Sequence, residues 1–326
     1  MVDIQEQIQV VHQVASEYWG HQPEEIREYL GHIEVIKRNG GKIMGILPAF
    51  KNHSEAFFKV YFYDRGFNFE SRGLRTANAI PQVEGVTVPK LIAIYPEYRT
   101  ILTKKENLEG NRSGLQRFFV NSLGIDWVKV GRWLRAFHDT QVGYEKNDYF
   151  LRKKFEKIES HLSDLQSLFT NQEMNKMRRI IEDAHKYFEN ENIDWVISHG
   201  DFGLANIQKN GDLLEIIDFE DCQIAPRTLD ILNCVARLEY TGYFPHMPRN
   251  FVAIRKLLWE GYGIKPEQSL ANDFLSLSIK LDMIETYHRR KKGNKKFMNM
   301  IYLYFEHKNR VMLSSWITKT NKRLIK

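Results

Sequence analysis

The spacing of apolar residues changes along this chain and divides it into three kinds of segment. Residues 3–19 carry apolar side chains at helical spacing, which predicts a first helix. A short second helix is expected after Pro23, with Glu24 and Glu25 in its first turn, where acidic side chains are favoured. From residue 34 the pattern changes to short apolar runs, and beyond residue 126 it becomes long and amphipathic. The chain is therefore predicted to be mixed at first and mostly helical later.

The short apolar runs predict a small sheet. Two of them are separated by Asn39-Gly40-Gly41, a strong signal for a β-hairpin. Between later runs, Phe67, Glu70, Leu74 and Ala77 fall on one helical stripe, which predicts a helix in the same region. The predicted strands are 34–38, 43–47, 56–62, 88–92 and 100–103.

Capping residues mark the helices of the later part. Asp126 is placed to cap a helix with Trp127 and Val130 on its apolar side. Thr170 and Glu173 form the pattern of a capping box, which starts another helix. The predicted later helices begin near residue 126 and then cover about 147–169, 170–188, 228–240, 249–261, 267–290 and 295–317.

The stretch 195–221 carries the clearest chemistry. The apolar run 195–197 is followed by a polar loop, a tight turn at 209–212 and a second apolar run, 213–217. These two strands are predicted to deliver Asp201, Asn206 and Asp218 to one end of a small hairpin. Carboxylate and amide oxygens at these positions suit a hard divalent cation, with one carboxylate left to meet a hydroxyl. The alternative is a buried polar turn in some other α/β protein.

The sequence HGDFGLAN at 199–206, followed by IIDFED at 216–221, resembles the catalytic and metal loops of aminoglycoside phosphotransferases and choline kinases. The resemblance covers about residues 30–265 and implies an α+β, bilobal, protein-kinase-like fold. Residues 1–110 would form a small antiparallel-sheet lobe, and residues 111–326 a larger, mainly helical lobe. The resemblance also makes Asp201 the catalytic carboxylate, Asn206 and Asp218 magnesium ligands, and Asp230 a structural acid behind the loop.

The same resemblance predicts an ATP site. Lys59 lies inside an apolar strand, where a lysine is costly unless it meets an anion. The resemblance makes it the cation that holds the α- and β-phosphates, and the alternative is a lysine on the solvent face. Glu70 is expected to pair with it, although Glu55 and Glu84 also lie in this region.

Two further features belong to that predicted ATP site. Residues 105–110 resemble the hinge that contacts adenine, so Glu106, Asn107 and Leu108 are expected cofactor-binding residues. The hairpin 34–47 is the expected lid over the phosphates, but it lacks a GxGxxG loop, and a plain β-turn explains it equally well.

Composition narrows the class of protein. The chain has 326 residues, enough for two lobes, and its two cysteines, Cys222 and Cys234, do not make a disulfide framework, which is typical of a cytoplasmic protein. No apolar run approaches a membrane span, and the acidic N-terminus does not have the pattern of a signal peptide. The net charge of +6 does not distinguish between functions.

The favoured hypothesis is an ATP- and Mg²⁺-dependent phosphotransferase that moves the γ-phosphate to a hydroxyl of a small molecule, which is aminoglycoside-, sugar- or amino-alcohol-like. The alternative is a catalytically silent protein of the same fold that binds nucleotide or a partner.

The basic run 289–296 is interpreted as a solvated loop rather than a contact with an anionic acceptor or lipid surface, and no nucleic-acid partner is expected. His138 is interpreted as a packing residue rather than a base. The sequence predicts neither the acceptor, nor ATP over GTP as donor, nor the oligomeric state.

Overall fold

An antiparallel sheet of five strands occupies the region where short apolar runs predicted it. The structure, a computed structural model, describes residues 4–39, 41–104, 124–140, 143–210, 212–241, 251–264, 269–291, 306–307 and 309–317. The spatial order of the five strands is β1-β2-β3-β6-β5. Their bounds are β1 (Glu34–Asn39), β2 (Lys42–Leu47), β3 (Ala56–Tyr61), β5 (Leu91–Tyr95) and β6 (Thr100–Lys104), and the short β4 (Val86–Thr87) belongs to another sheet.

The two faces of this sheet differ in chemistry. Strands β2 and β3 pair so that Ile43 is opposite Val60 and Met44 is opposite Lys59. Side chains that are directly opposite in an antiparallel pair project to the same face. One face therefore carries Ile43, Val60 and other core residues, packed against the helix α1 (Ile4–Trp19). The other face carries Lys42, Met44 and Lys59, so it presents two lysines away from the apolar core.

Two predicted boundaries in this region are wrong. The second helix, α2, covers Arg27–Leu30, and residues 23–26 form turns, so Glu24 and Glu25 precede the helix instead of lying in its first turn. The strand expected at 88–92 begins only at Leu91. It starts after Pro89, which has no backbone N–H to donate to a neighbouring strand.

The helix predicted from the apolar stripe is α3 (Asp64–Ala79). All four stripe residues, Phe67, Glu70, Leu74 and Ala77, are buried. The next described helix, α4 (Trp127–Asp139), begins as predicted at Asp126, whose side chain accepts hydrogen bonds from the N–H groups of Val128 and Lys129.

The predicted catalytic hairpin is built differently from the expectation. Residues 195–198 do form a strand, β7 (Trp195–Ser198), but it pairs with β10 (Gln223–Pro226). The hairpin itself consists of β8 (Ile207–Asn210) and β9 (Leu213–Ile216), and β4 adds to it in parallel, with Val86 opposite Leu214. Strand β8 was not predicted, because its single apolar residue, Ile207, gives no alternating pattern.

The remaining described helices share one apolar core, which includes Ile158, Met177, Phe274 and Leu281. The capping box at Thr170 is present: its hydroxyl accepts from the Glu173 N–H, and the Glu173 carboxylate accepts from the Thr170 N–H. Such a cap contributes about 1 kcal/mol. The helices are α5 (Asp148–Leu165), α6 (Asn171–Asn190), α7 (Leu229–Thr241), α8 (Phe251–Tyr262) and α9 (Leu270–Lys291), with further helical residues at 306–307 and 309–317.

The chain divides into two compact units that do not follow its order. Unit 1 contains residues 1–140 and 199–223, and unit 2 contains residues 141–198 and 224–326. Unit 1 therefore includes the five-stranded sheet and also the loop and hairpin that carry Asp201, Asn206 and Asp218. The predicted boundary at residue 110 lies outside the described residues and stays a prediction. In the described part of the chain, no helix has both the length and the apolar character that a bilayer crossing requires.

Candidate active site

The loop 199–206 is held against the return strand by polar contacts. His199 is fully buried, and its Nε2 lies 3.0 Å from the carbonyl oxygen of Ile217. The N–H of Ile217 in turn donates to the carbonyl oxygen of Asn206, at 3.0 Å. These bonds fix the two ends of the site to each other, so the loop after β7 and the loop after β9 form one structural element.

Gly200 makes this close approach possible. It has a φ of +82°, and a Cβ built there would lie 2.1 Å from the carbonyl oxygen of Asp221. Any other residue would therefore collide with the backbone of the DFED segment, besides adopting a left-handed conformation that side chains disfavour. The glycine of HGD is required by geometry at this position.

Asp201 and Asn206 are joined within the loop. The Nδ2 of Asn206 donates to the Oδ2 of Asp201 at 3.0 Å and to its backbone carbonyl oxygen at 2.9 Å. The carbonyl oxygen of the Asn206 side chain is not occupied by these bonds, because both use the amide nitrogen. Asn206 thus orients the Asp201 carboxylate and keeps an oxygen ligand of its own.

Asp218 lies immediately beyond β9 with an unusual backbone. Its φ is +69°, a left-handed conformation that costs a non-glycine residue about 1 kcal/mol or more. Such strain persists where the surrounding structure fixes it, and it is common in functional loops. The negative charge of Asp218 acts on Lys59.

Lys59 and Glu70 form an ion pair in unit 1. The Lys59 Nζ lies 2.5 Å from Glu70 Oε1, and the Glu70 side chain is almost completely buried. Burial alone would lower the pKa of Lys59, but the negative charges of Glu70, Asp218 and Glu220 outweigh it and raise that pKa. Lys59 therefore stays a cation, in contact with Glu70 and within reach of the negative charges of Asp218 and Glu220.

A layer of aromatic rings supports both loops from the side of α4. The rings of Trp133 and Phe202 stack with centroids 6.2 Å apart, and Phe137 contacts Phe219 at 5.9 Å. All four rings are buried. Because Phe202 follows Asp201 and Phe219 follows Asp218, this packing holds the two carboxylates in place.

Three charged residues of this site were missed by sequence reasoning. Lys42 of β2 forms an ion pair with Glu220. Desolvation of the Asp221 carboxyl group, together with the negative charges of Asp201, Glu220 and Asp218, raises the pKa of Asp221. Glu220 and Asp221 belong to the same acidic run, DFED, as Asp218, and this run could have indicated that they lie in the site. Lys42 gave no such signal, because no neighbouring residue in the sequence points to a partner 178 residues away.

The oxygen atoms of two side chains, Asn206 and Asp218, are suited to bind a magnesium ion. Asn206 and Asp218 offer oxygen ligands, and Glu70 Oε2 is a buried oxygen with no hydrogen-bond partner within the described residues. No group of three or more His, Cys, Asp or Glu side chains able to hold a metal occurs in the described ranges. Mg²⁺ is commonly held by one or two protein ligands together with substrate phosphates and water, and Asn206 and Asp218 supply two.

The remaining predicted positions are either buried side chains or lie outside the described residues. Glu106, Asn107 and Leu108 are outside the described residues, so the adenine hinge stays a prediction. His138 and Asp230 are fully buried, the latter in the first turn of α7. Most of the basic run 289–296 is outside the described residues, and its first residue, Arg289, pairs with Glu285.

Comparison with known proteins agrees with these features. Residues 106–262 match the sequence model of the phosphotransferase enzyme family, APH. No curated protein matches the whole sequence significantly.

Solved structures with the same fold include three kinases. A choline/ethanolamine kinase family protein from Mesorhizobium loti is 11% identical, with 94% of each chain covered and a TM-score of 0.53. Spectinomycin phosphotransferase APH(9)-Ia, solved with ADP and spectinomycin, is 16% identical over 90% of this chain and 98% of its own, with a TM-score of 0.52. Amicoumacin kinase hAmiN, solved with AMP-PNP, Ca²⁺ and its antibiotic, is 14% identical over 93% of each chain, with a TM-score of 0.53.

The α+β, protein-kinase-like fold predicted from the two motifs is thus confirmed. The match over residues 106–262, just under half of the chain, and this fold together make the chain similar to the phosphotransferase enzyme family.

Proposed function

We propose that this protein transfers the γ-phosphate of ATP to a hydroxyl group of a small molecule, with Mg²⁺ as cofactor. One observation carries the proposal: Lys59, paired with Glu70, lies within electrostatic reach of Asp218 in unit 1, which also contains the joined pair Asp201 and Asn206. Phosphoryl transfer needs positioning and charge neutralisation more than covalent chemistry. A cation, two metal ligands and a carboxylate base are the parts that this reaction requires.

Each residue has a distinct role in the proposal. Lys59, held by Glu70, binds the phosphates that are not transferred. Asn206 and Asp218 hold the magnesium ion, which when bound neutralises charge on the phosphates. Asp201 accepts the proton of the acceptor hydroxyl and orients its oxygen, because Asn206 fixes the carboxylate by a hydrogen bond to Oδ2.

The donor is proposed to be ATP. The neighbouring structures include complexes with ADP and AMP-PNP, and one aminoglycoside 2′-phosphotransferase-IIIa was solved with GDP. The expected base-binding residues, Glu106, Asn107 and Leu108, are to be tested by competition between ATP and GTP for the purified protein. We further propose a cytoplasmic location, since both cysteines are free thiols and a reducing compartment maintains them.

The acceptor is proposed to be a small alcohol of the aminoglycoside, sugar or amino-alcohol type. Spectinomycin and amicoumacin occur in the neighbouring kinase structures, and ethanolamine kinase from Plasmodium vivax shares the fold at a TM-score of 0.51. All three neighbours are named for small-molecule acceptors, and this family likeness supports the same class here.

A screen of ATP consumption tests the proposal. The purified protein is incubated with Mg²⁺, ATP and sets of amino alcohols, sugars, nucleosides and antibiotic alcohols. We expect at least one set to stimulate phosphate transfer, and Asp201→Ala to reduce the rate about a hundred- to ten-thousandfold with ATP affinity nearly unchanged.

Asp212→Ala is the matched control, because Asp212 is an exposed acid in the turn of the same hairpin. It should leave the rate unchanged. Equal activity of wild type and Asp201→Ala would exclude Asp201 as the base. Nucleotide binding without turnover on any acceptor would favour the catalytically silent alternative.

A further inference from the structure

Lys42 is a buried cation that the proposed reaction does not yet use. It lies at the start of β2, directly after the hairpin turn, and its side chain is 8% exposed. Its Nζ lies 5.6 Å from the centre of the Tyr61 ring. A lysine at this depth is costly unless an anion neutralises it, and in the structure that anion is Glu220.

The two partners of this ion pair differ in how firmly they are held. Lys42 is enclosed by the sheet and by Tyr61, whereas the Glu220 side chain is 38% exposed. Glu220 can therefore turn toward solvent at little cost, because its carboxylate is readily hydrated. Lys42 cannot turn toward solvent in the same way, because its side chain is only 8% exposed. In this ion pair, Lys42 is therefore fixed in place, and Glu220 is the partner that another anion can replace.

The position of Lys42 relative to Lys59 indicates which kind of anion could replace Glu220. Lys42 is opposite Tyr61, and Met44 is opposite Lys59, so both lysines project from the same face of the sheet. The charge of Lys42 acts on Glu70, the partner of Lys59, and the charge of Glu220 acts on Lys59. Two neighbouring cations on one face are suited to an anion with several charged oxygens, such as a polyphosphate.

We propose that Lys42 is a second phosphate-binding residue of the nucleotide site, which exchanges its bond to Glu220 for a phosphate oxygen of the donor. This inference rests on the proposed function, since it assumes that a nucleoside triphosphate binds between the sheet and the metal loop of unit 1. In the absence of nucleotide, Glu220 occupies the place of the phosphate. Binding of the donor then releases Glu220 and ties the hairpin β1–β2 to the phosphates.

Binding measurements on the full chain test this exchange. Isothermal titrations with ATP and with adenosine are made in EDTA, without divalent cation, on wild type and on Lys42→Met. We expect Lys42→Met to weaken ATP binding about tenfold or more and to change adenosine binding less than about twofold. Lys90→Met is the matched control, because Lys90 is an exposed lysine of the same unit, and it should change neither affinity.

The glutamate side of the pair gives an independent readout. Glu220→Gln keeps Lys42 and removes the competing charge, so it should strengthen ATP binding in EDTA. Unchanged or weaker ATP binding by Glu220→Gln overturns the exchange. This variant also decides the matter if Lys42→Met does not fold.

A purely structural role of Lys42 predicts a different pattern. Lys42→Met would then lower the melting temperature and weaken ATP and adenosine binding equally, or leave both unchanged, and either result overturns the proposal. Wild-type protein that binds no nucleotide, either in EDTA or with Mg²⁺, would overturn the proposed function together with this inference. If the wild type binds ATP only with Mg²⁺, the same comparison of variants is made with Mg²⁺ present. Wild-type protein that binds ATP and is sensitive to Lys42→Met but transfers phosphate to no acceptor would uphold Lys42 and overturn the proposed reaction alone.

Discussion

Helix α3 rests on the metal loop through a glycine, and filling that space should loosen the site. A Cβ added at Gly73 would lie 2.7 Å from the Cβ of Phe219 and 2.9 Å from the Cβ of Cys222. Both of these atoms are attached directly to the backbone, so neither can move away by a side-chain rotation. Gly73→Ala must therefore push α3 and the loop 219–222 apart.

The size of the effect follows from two opposing contributions. Overpacking of this kind costs about 1–3 kcal/mol. Replacing a glycine by alanine inside a helix contributes about 1 kcal/mol of stability in the other direction. Because the close atoms are rigid, we expect an overpacking cost in the upper part of that range, about 2–3 kcal/mol, so that Gly73→Ala lowers the free energy of unfolding by about 1–2 kcal/mol.

Urea unfolding followed by tryptophan fluorescence measures this difference, with nucleotide affinity in the presence of Mg²⁺ as the second readout. Asp218 directly precedes Phe219, so a displaced loop should also weaken Mg²⁺-dependent nucleotide binding. Gly31→Ala is the control, since a Cβ there meets only the Glu28 carbonyl oxygen at 3.4 Å. A Gly73→Ala protein as stable as wild type, or more stable, would refute the close packing of α3 on the metal loop.

Three further expectations concern the metal, the pH dependence and the thiols. Asp218→Ala should abolish the gain in nucleotide affinity that Mg²⁺ provides, and an undiminished gain in a titration with and without Mg²⁺ would contradict its role as a ligand. Burial alone would raise the pKa of Asp282, but a hydrogen bond from His161 and nearby lysine charges outweigh it and lower that pKa. The ionised carboxylate therefore contributes stability that is present above about pH 4 and is lost as the pH falls through the lowered pKa. Asp282→Asn should thus reduce stability at neutral pH and flatten its decline below about pH 4, and an unchanged decline in acid unfolding curves would count against this. Burial raises the pKa of Cys234 to about 12, so a thiol reagent at neutral pH should label neither buried cysteine, Cys222 or Cys234, until the protein is denatured, and rapid labelling of the native protein would be inconsistent with the structure.

Local signals in the sequence were sufficient for many of the elements. The Asn39-Gly40-Gly41 turn, the capping box of Thr170 and the apolar stripe of α3 each depend on residues within a few positions of one another. The structure has a strand, a cap or a helix at each of these places. The motifs HGDFGLAN and IIDFED were likewise sufficient to predict the fold, because each is a short continuous stretch that can be compared directly with a known family.

Features that depend on distant residues were not predicted. Strand β8 lacks an apolar alternation and is a strand because β9 pairs with it. Lys42 follows a glycine turn, where a lysine is ordinarily solvated, and only the folded chain supplies Glu220. Within the site, the hairpin is formed by β8 and β9 instead of the predicted runs 195–197 and 213–217. The roles of Asp201, Asn206 and Asp218 stay predictions. The start of α2 was misplaced because Pro23 and its acidic neighbours suit a turn as well as a first helical turn.

The parallel pairing of β4 with β9 has a consequence for how the protein is synthesised. Val86 leaves the ribosome long before Leu214, its partner in the ladder, and residues 141–198, which belong to unit 2, are made in between. Unit 1 is therefore incomplete for more than half of translation, and β4 is present long before the hairpin strand with which it pairs. A nascent chain arrested before residue 213 should be open to proteases near Val86, and a chain released after residue 223 should be protected there. Strand β4 is thus made long before the loop that carries Asp201 and the hairpin that follows it, and unit 1 is complete only when all three exist.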